Sequence, residues 1–251
     1  MIVIIGGSGF YGFLSDTTTT KVDTPFGQVI CEQGEVDNNE IAFIPRHGKK
    51  HSIPPSQINY RANIYAAHML DTEMILTTNA VGAIRKEFSP GSLILPDQIL
   101  DFTSGRQETF FDGSDFSIKT RKGRELSGVI HTDMTHPYDP RARSVILEAA
   151  QLLNLSLHDG GTMVVVNGPR YETPAEIAAY RVLGGDLAGM TSAPEAFLAR
   201  EIDIPYATVA VATNYAAGMQ SSISHEEVGE IFSEKMDTIK SLFTKIIATY
   251  N

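Results

Sequence analysis

The sequence predicts a single α/β domain with a mixed, partly barrel-like central β-sheet flanked by helices. Three observations carry that prediction. From Asn59 onward, short apolar runs alternate with helical segments, the pattern of strands covered by helices. The first fifty residues are instead rich in β-prone pieces, which predicts a sheet that partly closes on itself. No repeat, low-complexity tract or linker divides the 251 residues, so one domain spans 1–251.

Each element has a local reason. Ile2 to Ile5 is a continuous apolar run stopped by Gly6-Gly7, a buried strand. Thr17 to Val22, Gln28 to Glu32 and Glu40 to Ile44 are strands separated by Pro25, Gly27 and Asn38-Asn39. Asn59 to Leu70 reads as a helix, Glu73 to Ala80 and Leu93 to Leu95 as strands, and Arg141 to Leu153 as a helix. Thr162 to Val166 is a strand. Thr173 and Pro174 supply the N-cap and first position of a helix over Ala175 to Leu183. A further helix covers Pro194 to Glu201, a strand Ala207 to Thr213, and a long helix Ser224 to Thr249, opened by the capping pair Ser224 and Glu227.

Composition excludes several function classes. Thirty acidic residues against twenty basic ones give a net charge of −10, opposite to the basic face of a nucleic-acid binder. A small anionic ligand is still compatible, because a few placed donors outweigh distant surface charge. Cys31 is the only cysteine, so no intrachain disulfide or all-cysteine metal site forms. The run Met1 to Ile5 lacks a basic flank and is too short for a signal peptide or a span. The expectation is a cytoplasmic protein with no membrane partner.

Several strand ends carry polar motifs. Gly7-Ser8-Gly9-Phe10-Tyr11-Gly12 fits G-x-G-x-x-G after a strand. A dinucleotide site needs a helix at the third glycine, and the Ser15-Asp16 and four-threonine stretch that follows is poor helix material. An anion nest with the Ser8 hydroxyl or a plain tight turn remains. Arg46-His47-Gly48-Lys49-Lys50-His51 is the densest positive cluster in the chain and follows an apolar strand. His47 and His51 have metal-ligand spacing only on a helix, which Gly48, Pro45 and Pro54-Pro55 oppose, so no metal is expected. A solvated basic loop competes with an anion site, and the position at a strand end favours the anion. Thr77 to Ala83 ends a strand in small polar residues. Tyr171-Glu172 precedes a helix, where Glu172 alone reads as a dipole-stabilising first-turn residue. Gly189-Met190-Thr191 follows a short strand, Asn214 ends another, and His225 opens the last helix.

Taken in order, Ile5-Gly6-Gly7-Ser8-Gly9, Pro45-Arg46-His47-Gly48, Asn59-Tyr60-Arg61-Ala62-Asn63, Thr78-Asn79-Ala80, Gly168-Pro169-Arg170 and Gly189-Met190-Thr191 with Pro194-Glu195 resemble the trimeric purine nucleoside phosphorylase and methylthioadenosine phosphorylase family. The resemblance covers nearly the whole chain. It implies phosphorolysis of a purine nucleoside to free base and ribose 1-phosphate, with inorganic phosphate as co-substrate and no metal or organic cofactor. It also implies a homotrimer, or a dimer of trimers, with sites near subunit boundaries.

By that resemblance, phosphate lies among Ser8, Arg46, His47, the Asn79–Ala80 backbone and Thr191. Met190 packs on ribose, a neighbouring subunit places His131 over the sugar, and Tyr171 stacks near the base. Catalytic roles fall to Asn214, His47 and Glu172. The methylthioadenosine branch has serine where this chain has Glu172 and aspartate where it has Asn214. An asparagine N–H suits N7 and O6, and Glu172 accepts the N1–H that adenine lacks. The expected substrates are therefore inosine and guanosine. His225 aligns with a histidine that contacts the 5′-hydroxyl, whereas Thr103-Ser104-Gly105-Arg106 resembles the methylthio side. The alternative is 5′-methylthioinosine or 5′-methylthioadenosine, giving 5-methylthioribose 1-phosphate.

Overall fold

The first strand sets the layers. In the computed structural model, which describes residues 1–7, 10 and 13–250, β1 (Ile2–Gly6) is buried along its whole length. It pairs in parallel with β4 (Asn39–Pro45) and β5 (Met74–Ala83). Successive side chains of a strand point to opposite faces. Val3 and Ile5 accordingly face one core with Ile64, Ala67 and Leu198, while Ile2 and Ile4 face another with Ile146, Ile239 and Phe243. These helical residues belong to α1 (Tyr60–Met69), α2 (Pro140–Leu152), α4 (Ser192–Glu201) and α5 (His225–Thr249). The predicted helix–sheet–helix arrangement is thus present.

The strands β2 (Ser15–Thr24) and β3 (Gly27–Val36) extend the sheet beyond β4 as an antiparallel meander. A strand, not a helix, therefore follows the glycine-rich turn, as the rejection of a dinucleotide site requires. On the other side β13 (Tyr206–Tyr215) runs parallel to β5 and pairs with β6 (Leu93–Leu95), which pairs with β10 (His158–Asp159). The sheet branches at β5 and not among the first fifty residues. Past Thr77 that strand has outrun β1, and it pairs instead with β12 (Leu187–Gly189). From there β11 (Thr162–Val165) and β7 (Gln98–Asp101) continue the branch. The pair β8 (Ser117–Lys119) and β9 (Glu125–Ser127) forms a separate hairpin.

The helix starts follow local chemistry. The Thr173 hydroxyl accepts from the Glu176 amide, and Glu176 accepts from the Thr173 amide, at the head of α3 (Pro174–Val182). Ser224 accepts from the Glu227 amide at the head of α5. Helix α4 opens at Ser192, two residues before the predicted start. Pro194 occupies its first turn, where a missing N–H breaks no intrahelical bond. Among the described residues, no helix is long and apolar enough to cross a membrane.

Candidate active site

The strands β1, β4, β5, β12 and β13 end around one cavity of about 890 Å³, at the strand ends where open α/β sheets bind ligands. Among the predicted residues, Arg46, His47, Asn79, Ala80 and Thr191 line one part. Tyr171, Glu172, Met190 and Asn214 line the same cavity. Sequence positions from 46 to 214 thus converge. Ser8 lies outside the described residues, as does the side chain of His225. The backbone of His225 opens α5, and that helix adds Val228, Gly229, Phe232 and Ser233 to the wall. His131 is exposed and is absent from the lining of its own chain's cavity.

The expected concentration of positive charge at 46–51 does not survive in the structure. Arg46 is only 3% exposed and meets the fully buried Glu195 in a bidentate pair, Nε to Oε1 at 2.5 Å and Nη2 to Oε2 at 2.9 Å. Its remaining donors reach the Thr78 carbonyl at 3.0 Å and the Ile5 carbonyl at 3.3 Å. Among the described residues, four of the five guanidinium N–H groups are therefore committed and one is left. Burial disfavours the charge on Arg46, but the Glu195 carboxylate outweighs it and holds the pKa above the ordinary arginine value. Lys49 pairs with Glu32 at 2.9 Å, and neither Lys49 nor Lys50 lines the cavity.

His47, unlike Arg46, is neutral near pH 7. Burial, then the nearby Arg46 charge, pushes its pKa down to about 4. The segment turns at Gly48 (φ +72°) and is not helical, so His47 and His51 stack with ring centroids 4.5 Å apart. Nδ1 of His47 lies 2.8 Å from the Ile53 carbonyl. A carbonyl only accepts, so Nδ1 carries the proton and Nε2 keeps a lone pair.

Hydroxyl and backbone donors supply what the cations do not. Thr191 sits at the N-cap of α4, yet its hydroxyl makes no capping bond. It accepts from Asn79 Nδ2 at 2.6 Å, which leaves its own proton to donate. The Asn79 amide is oriented in turn, its Oδ1 accepting from Thr208 at 2.5 Å and Ser192 at 3.4 Å. The N-terminus of α4 adds backbone N–H groups, a favourable place for an anion. Sequence reading missed Glu195 as the Arg46 partner, because 149 residues separate the two.

The other part of the cavity is built by a loop and a bulge. At 168 a left-handed glycine (φ +59°) is required, since a Cβ there would collide with the Met190 thioether. Glu176, not Glu172, caps α3 and binds Arg170, so the first-turn reading of Glu172 fails. Glu172 lines the cavity, and burial above all pushes its carboxyl pKa up. A register shift between Ala212 and Asn214 in β13 accompanies the entry of Asn214 into the lining. Its Nδ2 donates to the Tyr215 carbonyl at 2.8 Å, and its Oδ1 accepts from the Thr213 hydroxyl at 2.9 Å. The carbonyl fixes the amide orientation, leaving one N–H unspent.

Known proteins show the family to which this chain belongs. The phosphorylase superfamily model matches residues 1–248. A probable 6-oxopurine nucleoside phosphorylase of Korarchaeum cryptofilum is 48% identical over 97% of this chain and 91% of its own. A 6-oxopurine nucleoside phosphorylase of Pyrococcus furiosus is 48% identical over 98% and 91%. The structure of methylthioadenosine phosphorylase from Schistosoma mansoni in complex with adenine superposes with a TM-score of 0.90 at 31% identity, covering 98% of this chain and 90% of that one. The resemblance first read from scattered strand-end motifs extends through the fold, and the chain belongs to the phosphorylase superfamily, in the family of the purine nucleoside and methylthioadenosine phosphorylases.

Proposed function

We propose that this protein cleaves 6-oxopurine nucleosides with inorganic phosphate, releasing the base and ribose 1-phosphate. The observation that carries the substrate reading is the amide of Asn214. Held by the Tyr215 carbonyl, it offers an N–H. That group matches N7 and O6 of hypoxanthine or guanine and opposes the 6-amino group of adenine. Glu172 accepts the N1–H of the 6-oxo base. A site built for such bonds discriminates strongly, because the wrong base leaves buried polar groups unpaired.

The reaction follows from these contacts. The C1′–N9 bond breaks with its electron pair passing to the purine, where the Asn214 N–H stabilises charge at N7. The ribosyl becomes oxocarbenium-like, and a phosphate oxygen held beneath it forms the new C1′–O bond. Phosphate is held by the free Arg46 N–H, the Thr191 hydroxyl, the Ala80 amide and the start of α4. His47 Nε2 accepts the P–OH of hydrogen phosphate. Met190 packs under the ribose and Tyr171 stacks on the base. No metal or organic cofactor has a step in this scheme. His131 belongs over the sugar of an adjacent subunit in a homotrimer, and its exposure away from its own cavity supports that role.

A second reading has its own support. The α5 wall presents Val228, Gly229 and Phe232, apolar groups that suit a methylthio substituent at the 5′ end. The deciding experiment is kcat/KM for inosine, guanosine, adenosine, methylthioinosine and methylthioadenosine, each with phosphate. Both 6-oxo forms should far exceed their 6-amino counterparts. Base release independent of added phosphate overturns phosphorolysis, and equal rates on methylthioadenosine overturn the roles of Glu172 and Asn214.

A further inference from the structure

Arg106 stands behind the nucleoside part of the cavity without lining it. Its four terminal N–H groups are all used. Nη1 donates to the Met190 carbonyl at 2.7 Å and to the Tyr60 hydroxyl at 3.3 Å. Nη2 donates to the carbonyls of Val166 at 3.2 Å and Asn167 at 2.9 Å. The guanidinium also lies over the Tyr60 ring, 5.3 Å from its centroid, and the Tyr60 hydroxyl donates a hydrogen bond to the Pro55 carbonyl at 2.8 Å.

The three carbonyls, and Pro55 through Tyr60, belong to or adjoin the cavity walls. Val166 and Asn167 begin the loop that carries Tyr171 and Glu172. Met190 leaves β12, and Pro55 adjoins the Ile53–Pro54 wall. The loop of Arg106 is tied to the same root from the other side, since Asn167 Nδ2 donates to the Ser104 carbonyl at 3.1 Å and the Ser104 amide donates to Asn167 Oδ1 at 3.2 Å. One planar fork thus spans carbonyls leaving two adjacent strands, a task its fixed geometry suits and an ammonium does not. None of these hydrogen bonds ends on Arg46, His47, Asn79 or the Thr191 side chain.

We infer that Arg106 is a positioning residue, whose guanidinium sets the spacing between Met190 and the Tyr171–Glu172 loop and so fixes the nucleoside relative to the bound phosphate. The inference rests on the assignment of this cavity to a purine nucleoside and phosphate.

The test separates the two substrates. Arg106→Ala should lower kcat/KM for inosine about a hundredfold, the scale of a misplacement near 1 Å. The KM for phosphate should change by no more than about twofold, because no phosphate-side contact is removed. Added guanidinium at a non-denaturing concentration should recover part of the lost rate, while methylammonium should not. Arg106→Lys, which keeps the charge, should show the same split between substrates. Equal losses on both substrates in both variants, or equal recovery by both cations, overturn the inference. Hydrogen exchange reads the clamp without turnover: residues 167–172 should exchange faster in Arg106→Lys than in the wild type, and unchanged exchange there also overturns it. A wild type that exchanges as expected but does not phosphorolyse inosine would instead refute the assigned activity.

Discussion

Arg46 and Glu195 neutralise each other at the head of the cavity, so Arg46 would meet a phosphate through the single N–H that is uncommitted among the described residues. The carboxylate is completely buried and also accepts from the Tyr206 hydroxyl at 2.8 Å. In the proposed phosphate site, anion recognition would therefore depend on oriented dipoles more than on net charge. Dipoles fixed in advance need no reorganisation when charge shifts during reaction.

Breaking that pair tests its weight. Glu195→Gln keeps the shape but leaves the Arg46 charge buried and unmatched. Removing one partner of a buried ion pair destabilises by about 3–5 kcal/mol, and urea denaturation should show a loss of that size. A loss comparable with that of an exposed pair would mean that water reaches Arg46.

The tautomer of His47 sets a rule for the anion. With Nδ1–H donated to Ile53, Nε2 meets the ligand as an acceptor. Hydrogen phosphate brings a P–OH to that lone pair, whereas sulfate at neutral pH brings none. Sulfate should therefore inhibit competitively with phosphate but with a Ki well above the phosphate KM, roughly tenfold or more for one mismatched buried bond. His47→Gln, whose amide can donate, should narrow that gap. A sulfate Ki equal to the phosphate KM in the wild type would remove the proposed contact.

The parts legible in the sequence were those governed by local chemistry. Ile2 to Ile5, the Thr173–Pro174 start and the Ser224–Glu227 cap each carry their reason within a few residues, and each appears in the structure. The strand-end residues Arg46, Asn79, Met190 and Asn214 were legible as a set through family resemblance. Their partners were not. Glu195, Thr208 and Arg106 act across 149, 129 and at least 46 residues, and nothing local marks a helix glutamate as the mate of a distant arginine. Counting cations along 46–51 misled for the same reason: compensation by Glu195 and Glu32 is tertiary. The three- and four-residue strands from Gln98 to Ser127 are too short to show alternation.

Asn214→Asp inverts a fixed donor. The substituted oxygen would face the Tyr215 carbonyl, which now accepts at 2.8 Å. Two acceptors cannot pair, so the carboxyl must take a proton or rotate, and the preference should move toward 6-aminopurines. The inosine-to-adenosine ratio of kcat/KM should fall by about a hundredfold or more, given how strongly polar sites reject mismatched hydrogen bonds. An unchanged ratio would argue that Asn214 does not contact the base.

Glu172 links base recognition to pH. Burial raises its carboxyl pKa, a hydrogen bond to its own backbone opposes that most, the nearby Glu176 charge adds to the rise, and Arg170 has a smaller opposing effect. Glu176, paired with Arg170, is held down to about 2 and stays ionised throughout the relevant range. His47, lowered to about 4, contributes no titration near neutrality. Because the N1–H of a 6-oxopurine bonds best to the ionised form, nucleoside affinity is full above the raised pKa of Glu172. It is lost as pH falls through that value, before an ordinary carboxylate would protonate. The stability effect has the opposite sign. A carboxyl with a raised folded-state pKa binds its proton more tightly in the folded chain, so ionising it as pH rises destabilises the fold. The KM for inosine at saturating phosphate should therefore climb on acidification. Glu172→Gln should flatten that acid limb, since a neutral amide accepts the same N1–H at every pH. An acid limb of unaltered position in Glu172→Gln would assign the titration to another group.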